Sequence, residues 1–145
     1  MQVIVTGHGN FASGIESTVK LLAGKIENVS YIDFTENMSE EDLAKEFKKQ
    51  FDKDNQALFF CDLLGGTPYK QAAMLKAAHP SDDIAVVCGC NVGSLLENGL
   101  VGLDKFENAD QLAQALIEST KKGIKQFGVS SVNNKQTEDS SEDGI

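Results

Sequence analysis

Two short stretches of the sequence hold residues able to do chemistry together. The first is Thr6-Gly7-His8-Gly9-Asn10, and the second is Cys61-Asp62-Leu63-Leu64-Gly65-Gly66-Thr67-Pro68. His8 is one of two histidines, and its flanking glycines leave the imidazole open to a large reactant. A neutral imidazole nitrogen is nucleophilic near pH 7. Asp62, brought across from His8, would accept a hydrogen bond from Nδ1, leave Nε2 as the nucleophile and stabilise the ring once it is substituted. Gly65 and Gly66 ahead of a helix opening at Thr67 provide backbone N–H groups, a helix dipole and one hydroxyl. Together these make an anion site with no cationic side chain. Each element also has a plainer reading: His8 as a turn residue, Asp62 as a loop cap, the glycines as loop geometry, and Thr67 as a helix N-cap whatever else it does. What joins the four is that all fall at the ends of segments with strand character.

Those segments are residues 2–6, 57–61 and 84–88, with a weaker one at 29–34. The first three are short, β-branched or aromatic, and apolar throughout, and the fourth is of the same kind. Strands apolar on both faces belong to a parallel sheet covered by helices. Between them the helical period recurs: Phe11, Ile15, Val19 and Leu22 after Asn10; Leu43, Phe47 and Phe51 after Ser39 and Asp42, which resemble a capping box; Ala72, Ala73 and Leu75 after Thr67-Pro68; Leu112, Ala115, Leu116 and Ile124 after Asn108 and Gln111. A shorter helix is predicted over 92–100. The order β-α-β-α-β-α-β-α-α with right-handed crossovers predicts a doubly wound, mainly parallel α/β sheet, helices on both faces and strand order 2-1-3-4. A short antiparallel strand is expected over 128–132. In such sheets the site lies beyond the carboxyl ends of the strands, here between the first and third, where both stretches end.

The chain has 145 residues and a formal charge of −9, from 13 basic and 22 acidic residues, and every basic residue is lysine. One domain of about that size is expected, over residues 1–128, followed by an acidic tail at 129–145 that reads as disordered. A nucleic-acid role is disfavoured, because such proteins concentrate positive charge and favour arginine forks. No stretch approaches the ~20 apolar residues of a membrane span, and no basic leader precedes the first strand, so a cytoplasmic protein is expected. Cys61, Cys88 and Cys90 read as buried reduced thiols rather than a metal pair, since no His or further Cys stands at ligand spacing. No metal or organic cofactor is required by any residue. His79, ahead of Pro80 at a helix end, reads as structural.

Two rival readings bear on the same residues. Gly7-x-Gly9-x-x-Ala12 between a strand and a helix, with Asp33 ending the second strand 24 positions after Gly9, fits a dinucleotide-binding domain. That reading leaves Asp62 and the Gly65-Gly66-Thr67 loop unexplained. A phospho-receiver would place its acceptor at Asp62, but its first strand should end in acidic residues that hold Mg²⁺, and here it ends in Thr-Gly-His-Gly.

The T-G-H-G at 6–9 and D-L-L-G-G-T-P at 62–68, with Gly-x-Asn at 89–91, resemble the IIA components of mannose-type sugar phosphotransferase systems over residues 1–127. The stretch TGHGNFASG, together with DLLGGTP and a final Asp-Gly-Ile, is most similar to the N-acetylgalactosamine or galactosamine branch. The resemblance implies a phosphotransferase with a phosphohistidine intermediate. His8 would accept a phosphoryl group from HPr and pass it to a IIB subunit, which phosphorylates sugar entering through membrane IIC and IID subunits. It also implies that Asp62 orients His8, that Gly66 and Thr67 hold the phosphoryl oxygens, and that the protein is a homodimer exchanging a terminal strand. Phe11 and Leu64 are expected to face the partners. Leu63 and Leu64 replace a more polar and aromatic pair of the mannose-specific members, and Thr67 replaces a serine.

Overall fold

The computed structural model describes residues 1–129. Strands β1 (Gln2–His8), β2 (Val29–Phe34), β3 (Gln56–Cys61) and β4 (Asp83–Cys88) form one parallel sheet in the order β2-β1-β3-β4, as the sequence predicts. Five helices alternate with and follow them: α1 (Phe11–Ala23), α2 (Glu40–Phe51), α3 (Thr67–Ala78), α4 (Val92–Val101) and α5 (Ala109–Gly123). None of these is long and apolar enough to cross a membrane.

Alternation along each strand splits the apolar side chains between two cores. Val3, Val5, Leu58, Phe60, Ala85 and Val87 meet Ala12 and Val19 of α1, Leu95 of α4, and Leu112 and Leu116 of α5. Ile4, Ala57, Phe59, Cys61 and Ile84 meet Leu43, Phe47 and Phe51 of α2 and Ala72 of α3. Both faces are thus withdrawn from water, which is why the strands carry no polar alternation. Phe47 lies on Phe59 with ring centroids 4.9 Å apart. Truncating such a buried ring costs about 3–5 kcal/mol, so this second core is a main support of the fold.

Helix starts follow local chemistry. Ser39 and Asp42 form a reciprocal capping box on α2, and the backbone N–H of Ser39 together with its hydroxyl holds the Asp42 carboxyl below its ordinary value. Asn91 accepts from Ser94 N at 3.0 Å to cap α4, and Asn108 accepts from Gln111 N at 2.8 Å to cap α5. Asn10 stands at the cap position of α1 without a side-chain bond; Asp33 of β2 accepts from Ser13 N at 2.9 Å instead.

Three expectations are corrected. Leu22, predicted on the inner stripe of α1, is 60% exposed. Ile124, predicted on the inner face of the last helix, follows the end of α5 and is exposed. The expected cap of α3, Thr67, is instead its first helical residue, because Gly66 adopts the extended cap conformation (φ −71°, ψ 169°) and Pro68 sits in the first turn. Of the antiparallel strand expected over 128–132, Gly128 lies in a turn and Val129 in no element. Residues 130–132 and the rest of the acidic tail lie outside the described residues.

Candidate functional site

The sheet register brings the two stretches together. β1 pairs with β2 as far as His8 opposite Phe34, but with β3 only as far as Thr6 opposite Cys61. Beyond that rung the chains part: β1 turns into α1 on one face of the sheet, and β3 leads to α3 on the other. This divergence opens the switch-point crevice predicted between the first and third strands. Asp62 stays anchored at its mouth, donating its N–H to Thr6 O at 3.0 Å and accepting from Gly89 N at 3.3 Å.

Across the crevice, His8 Nδ1 lies 2.8 Å from Asp62 Oδ2. The same oxygen accepts the backbone N–H of His8 at 2.9 Å, and Oδ1 accepts that of Leu63 at 2.9 Å. The carboxylate is thus held at both oxygens and can only accept, so Nδ1 is the donor and Nε2 keeps its lone pair. Burial by itself favours the neutral acid, but the donors from His8 and Leu63 outweigh it and hold the Asp62 carboxyl below its ordinary value. The His8 side chain is 44% exposed while that of Asp62 is 10% exposed. The imidazole therefore reaches solvent, while the carboxylate is largely enclosed. Phe34, at the end of β2, holds the ring from the side, edge to face at 5.8 Å.

Two glycines are required by close approach. A Cβ on Gly7 would stand 2.8 Å from Asp62 Cβ and 2.5 Å from Phe11 Cδ1, so only glycine lets Asp62 reach across β1. A Cβ on Gly66 would stand 2.6 Å from His8 Cε1 and 3.4 Å from Nε2. The loop before α3 thus lies directly against the Cε1–Nε2 edge of the imidazole, with Gly65 turning it at φ +77°.

The start of α3, unlike those of α2, α4 and α5, has no side-chain cap. Lys70 is the first residue of the helix to find an acceptor in its turn, on Gly66 O at 2.9 Å, and Pro68 has no N–H. The N–H groups of Thr67 and Tyr69 have no acceptor among the described residues and lie at the positive end of the helix dipole, a combination able to receive an anion. The structure therefore brings His8, Asp62, Gly65, Gly66 and Thr67 to one crevice. Leu64, expected to face a partner, is 71% exposed beside it. Phe11 is half-buried and packs inward against the core.

Other residues stand elsewhere or matter differently than the sequence indicates. His79 lies at the opposite end of the strands, between α3 and the start of β4, bonded to Asp82 at 3.1 Å and resting on Phe51. Cys61 and Cys90 are buried; desolvation, with the Asp62 and Cys88 charges adding to it, pushes the Cys61 thiol up to about 12. Cys88 is half-buried. Asp33, the acid of the dinucleotide reading, is engaged in capping α1, and Gly7 is explained by Asp62. Sequence reasoning missed Phe34 and Glu40. Phe34 carried no signal beyond ending a strand. Glu40 opens α2 and reaches the Thr67 hydroxyl from a separate element.

The family model EIIA-man, described as PTS system fructose IIA component, matches residues 2–117. The PTS system mannose-specific EIIAB component of Escherichia coli strain K12 is 28% identical over 126 residues, which are 85% of this chain and 38% of that protein. The chain therefore spans well under half the length of that relative. The PTS system sorbose-specific EIIA component of Lacticaseibacillus casei is 28% identical over 145 residues, 99% of each chain. The crystal structure of the phosphotransferase system component EIIA from Streptococcus agalactiae matches with a TM-score of 0.81 at 34% identity, covering 87% of this chain and 96% of that one. With its crevice built at the ends of β1 and β3 and more than half its length matched by one family model, the chain belongs to the mannose, fructose and sorbose type of sugar phosphotransferase system EIIA components.

Proposed function

We propose that the protein is a phosphocarrier in sugar uptake, taking a phosphoryl group from phospho-HPr onto His8 and passing it to a IIB subunit. The observation that carries this reading is the 2.8 Å bond from His8 Nδ1 to Asp62, which leaves Nε2 open beside the uncapped start of α3. In the transfer, the Nε2 lone pair attacks phosphorus in line. The N–P bond to the donor imidazole breaks as the new one forms, and the donor departs as a neutral ring. No proton leaves His8. Its Nδ1 keeps its proton and donates it in a hydrogen bond to Asp62, whose charge balances the positive ring, while the N–H groups of Thr67 and Tyr69 receive the phosphoryl oxygens. The second transfer runs the same steps backwards, toward an acceptor on IIB.

Affinity for phosphate must be moderate, because a carrier that binds too tightly does not pass the group on. A site of backbone donors without arginine meets that need. The carrier domain spans residues 1–128, works in the cytoplasm and acts as a homodimer, with the membrane IIC and IID subunits downstream of IIB. The stretch TGHGNFASG favours an amino sugar of the N-acetylgalactosamine or galactosamine type as the transported substrate.

Incubation with phosphoenolpyruvate, the general phosphotransferase enzyme and HPr is expected to give an acid-labile, base-stable adduct of one phosphoryl group per chain. Full labelling of His8→Ala would overturn the assignment. A base-labile acyl phosphate on Asp62 would favour a receiver instead, and stabilisation by NAD a dinucleotide-binding domain.

A further inference from the structure

The start of α3 carries a contact that the transfer scheme does not use. Glu40, the first residue of α2, accepts the Thr67 hydroxyl on Oε1 at 3.4 Å and Gln71 Nε2 on Oε2 at 3.5 Å. A carboxylate from a second element thus faces the end of α3 at which an anionic group is to be received. The Thr67 hydroxyl has one proton, and a carboxylate and a phosphoryl oxygen compete for it. The bond to Glu40 is longer than the 2.7–2.8 Å usual for a hydroxyl donor, so it is readily given up. Resting on the phosphocarrier reading above, we infer that Glu40 is a positioning residue that sets how firmly the phosphoryl group is held. With the site empty, Glu40 holds the Thr67 proton. When His8 is phosphorylated, that proton turns to a phosphoryl oxygen, and the carboxylate, left with Gln71 alone, stands as a nearby negative charge. Both effects weaken retention of the group and favour its departure.

Glu40 also has a purely structural use, since an acidic residue in the first turn suits the dipole of α2. The two roles separate by substitution. Glu40→Gln removes the charge and leaves a weaker acceptor. Glu40→Asp keeps an acid at the start of α2 but is one methylene short of Thr67. The measurement is the equilibrium ratio of phosphorylated to free protein against HPr, with the lifetime of the isolated adduct toward hydrolysis. Glu40→Gln is expected to raise both by roughly three- to tenfold, the difference between a charged and a neutral acceptor. Glu40→Asp should move the same way while its melting temperature stays near that of the parent. In a Thr67→Val background the effect of Glu40→Gln should shrink to less than twofold.

Unchanged ratios and lifetimes in both Glu40 variants would overturn the inference, as would a Glu40→Gln effect of the same size with Thr67→Val. If Glu40→Gln fails to fold, Glu40→Asp decides alone. A parent protein that takes no label from phospho-HPr would overturn the phosphocarrier reading itself, which is a separate outcome.

Discussion

The molecule contains two histidine–aspartate pairs, and they sit at opposite ends of the strands of one sheet. His8 and Asp62 are 54 positions apart in sequence and meet at 2.8 Å across the crevice where β1 and β3 diverge. His79 and Asp82 are three positions apart and meet at 3.1 Å in the turn between α3 and β4. Both pairs join through Nδ1, so donor type alone does not separate them. Their surroundings do. The His8 ring has a glycine loop and an uncapped helix start against its far side, and its aspartate is fixed at both oxygens by backbone donors. The His79 ring rests on Phe51 of the second core, and the Asp82 N–H bonds back to the His79 carbonyl, closing a local turn. A histidine–aspartate contact becomes a reactive pair only where something on the other side of the ring can receive what the ring accepts.

That contrast can be broken by experiment. The largest effect belongs to the histidines: His8→Gln should lower phosphoryl labelling by HPr at least about a thousandfold, because the other candidate acceptors in the crevice are engaged, the Asp62 carboxylate by backbone donors and the Thr67 hydroxyl by Glu40. His79→Gln should label at the parental rate. Equal losses in the two variants would erase the distinction drawn here. Next come the acids. Asp62→Asn should slow transfer by roughly 10²–10⁴-fold, since the amide can favour the wrong tautomer and does not balance the substituted ring. Asp82→Asn should leave transfer unchanged and shift stability by no more than about 1 kcal/mol, as expected for a partly exposed local pair. Rapid-quench labelling together with denaturant unfolding separates rate from fold.

A smaller loss is expected at Gly66. The added methyl of Gly66→Ala would enter the space of His8 Cε1 at 2.6 Å and push the ring or the loop aside. Misplacement on that scale should cost transfer roughly 10- to 100-fold, with the circular dichroism spectrum retained. The gentlest test is the titration of Asp62. Because its carboxyl is held below the ordinary value of 3.8, the stability it contributes is fully present above that pH and is lost as pH falls through the lower folded value. A carboxyl chemical-shift titration of the folded protein should therefore place the Asp62 midpoint below 3.8, and a midpoint above it would contradict the donor arrangement described.

Much of the architecture is legible from residue types. Three runs without polar alternation read as strands buried on both faces, with a weaker fourth that forms the half-buried edge strand β2, and the helical segments between them imply a parallel sheet, which is what forms. Ser39 with Asp42 and Asn108 with Gln111 announce their caps because that chemistry is local. Errors gather where a neighbour outvotes the local pattern. Leu22 has the right spacing for the inner face but lies in the last turn of α1 beside exposed Leu21. Thr67 has the right type for a cap, yet the extended Gly66 takes that place and leaves the hydroxyl to Glu40. Asp33 looked like a ribose ligand from its offset after Gly9, and instead it caps α1 from the neighbouring strand.

The sequence by itself determined the candidate nucleophile, the glycine loop and the strands that carry them, because residue type, glycine placement and apolar runs are properties of short windows. Only the tertiary structure decided that the Asp62 named by the sequence lies 2.8 Å from His8 Nδ1, that Phe34 packs on the ring, and that Glu40 faces the start of α3. Each of these rests on contacts between residues at least 26 positions apart, whose distances follow from strand register and helix placement rather than from any local pattern.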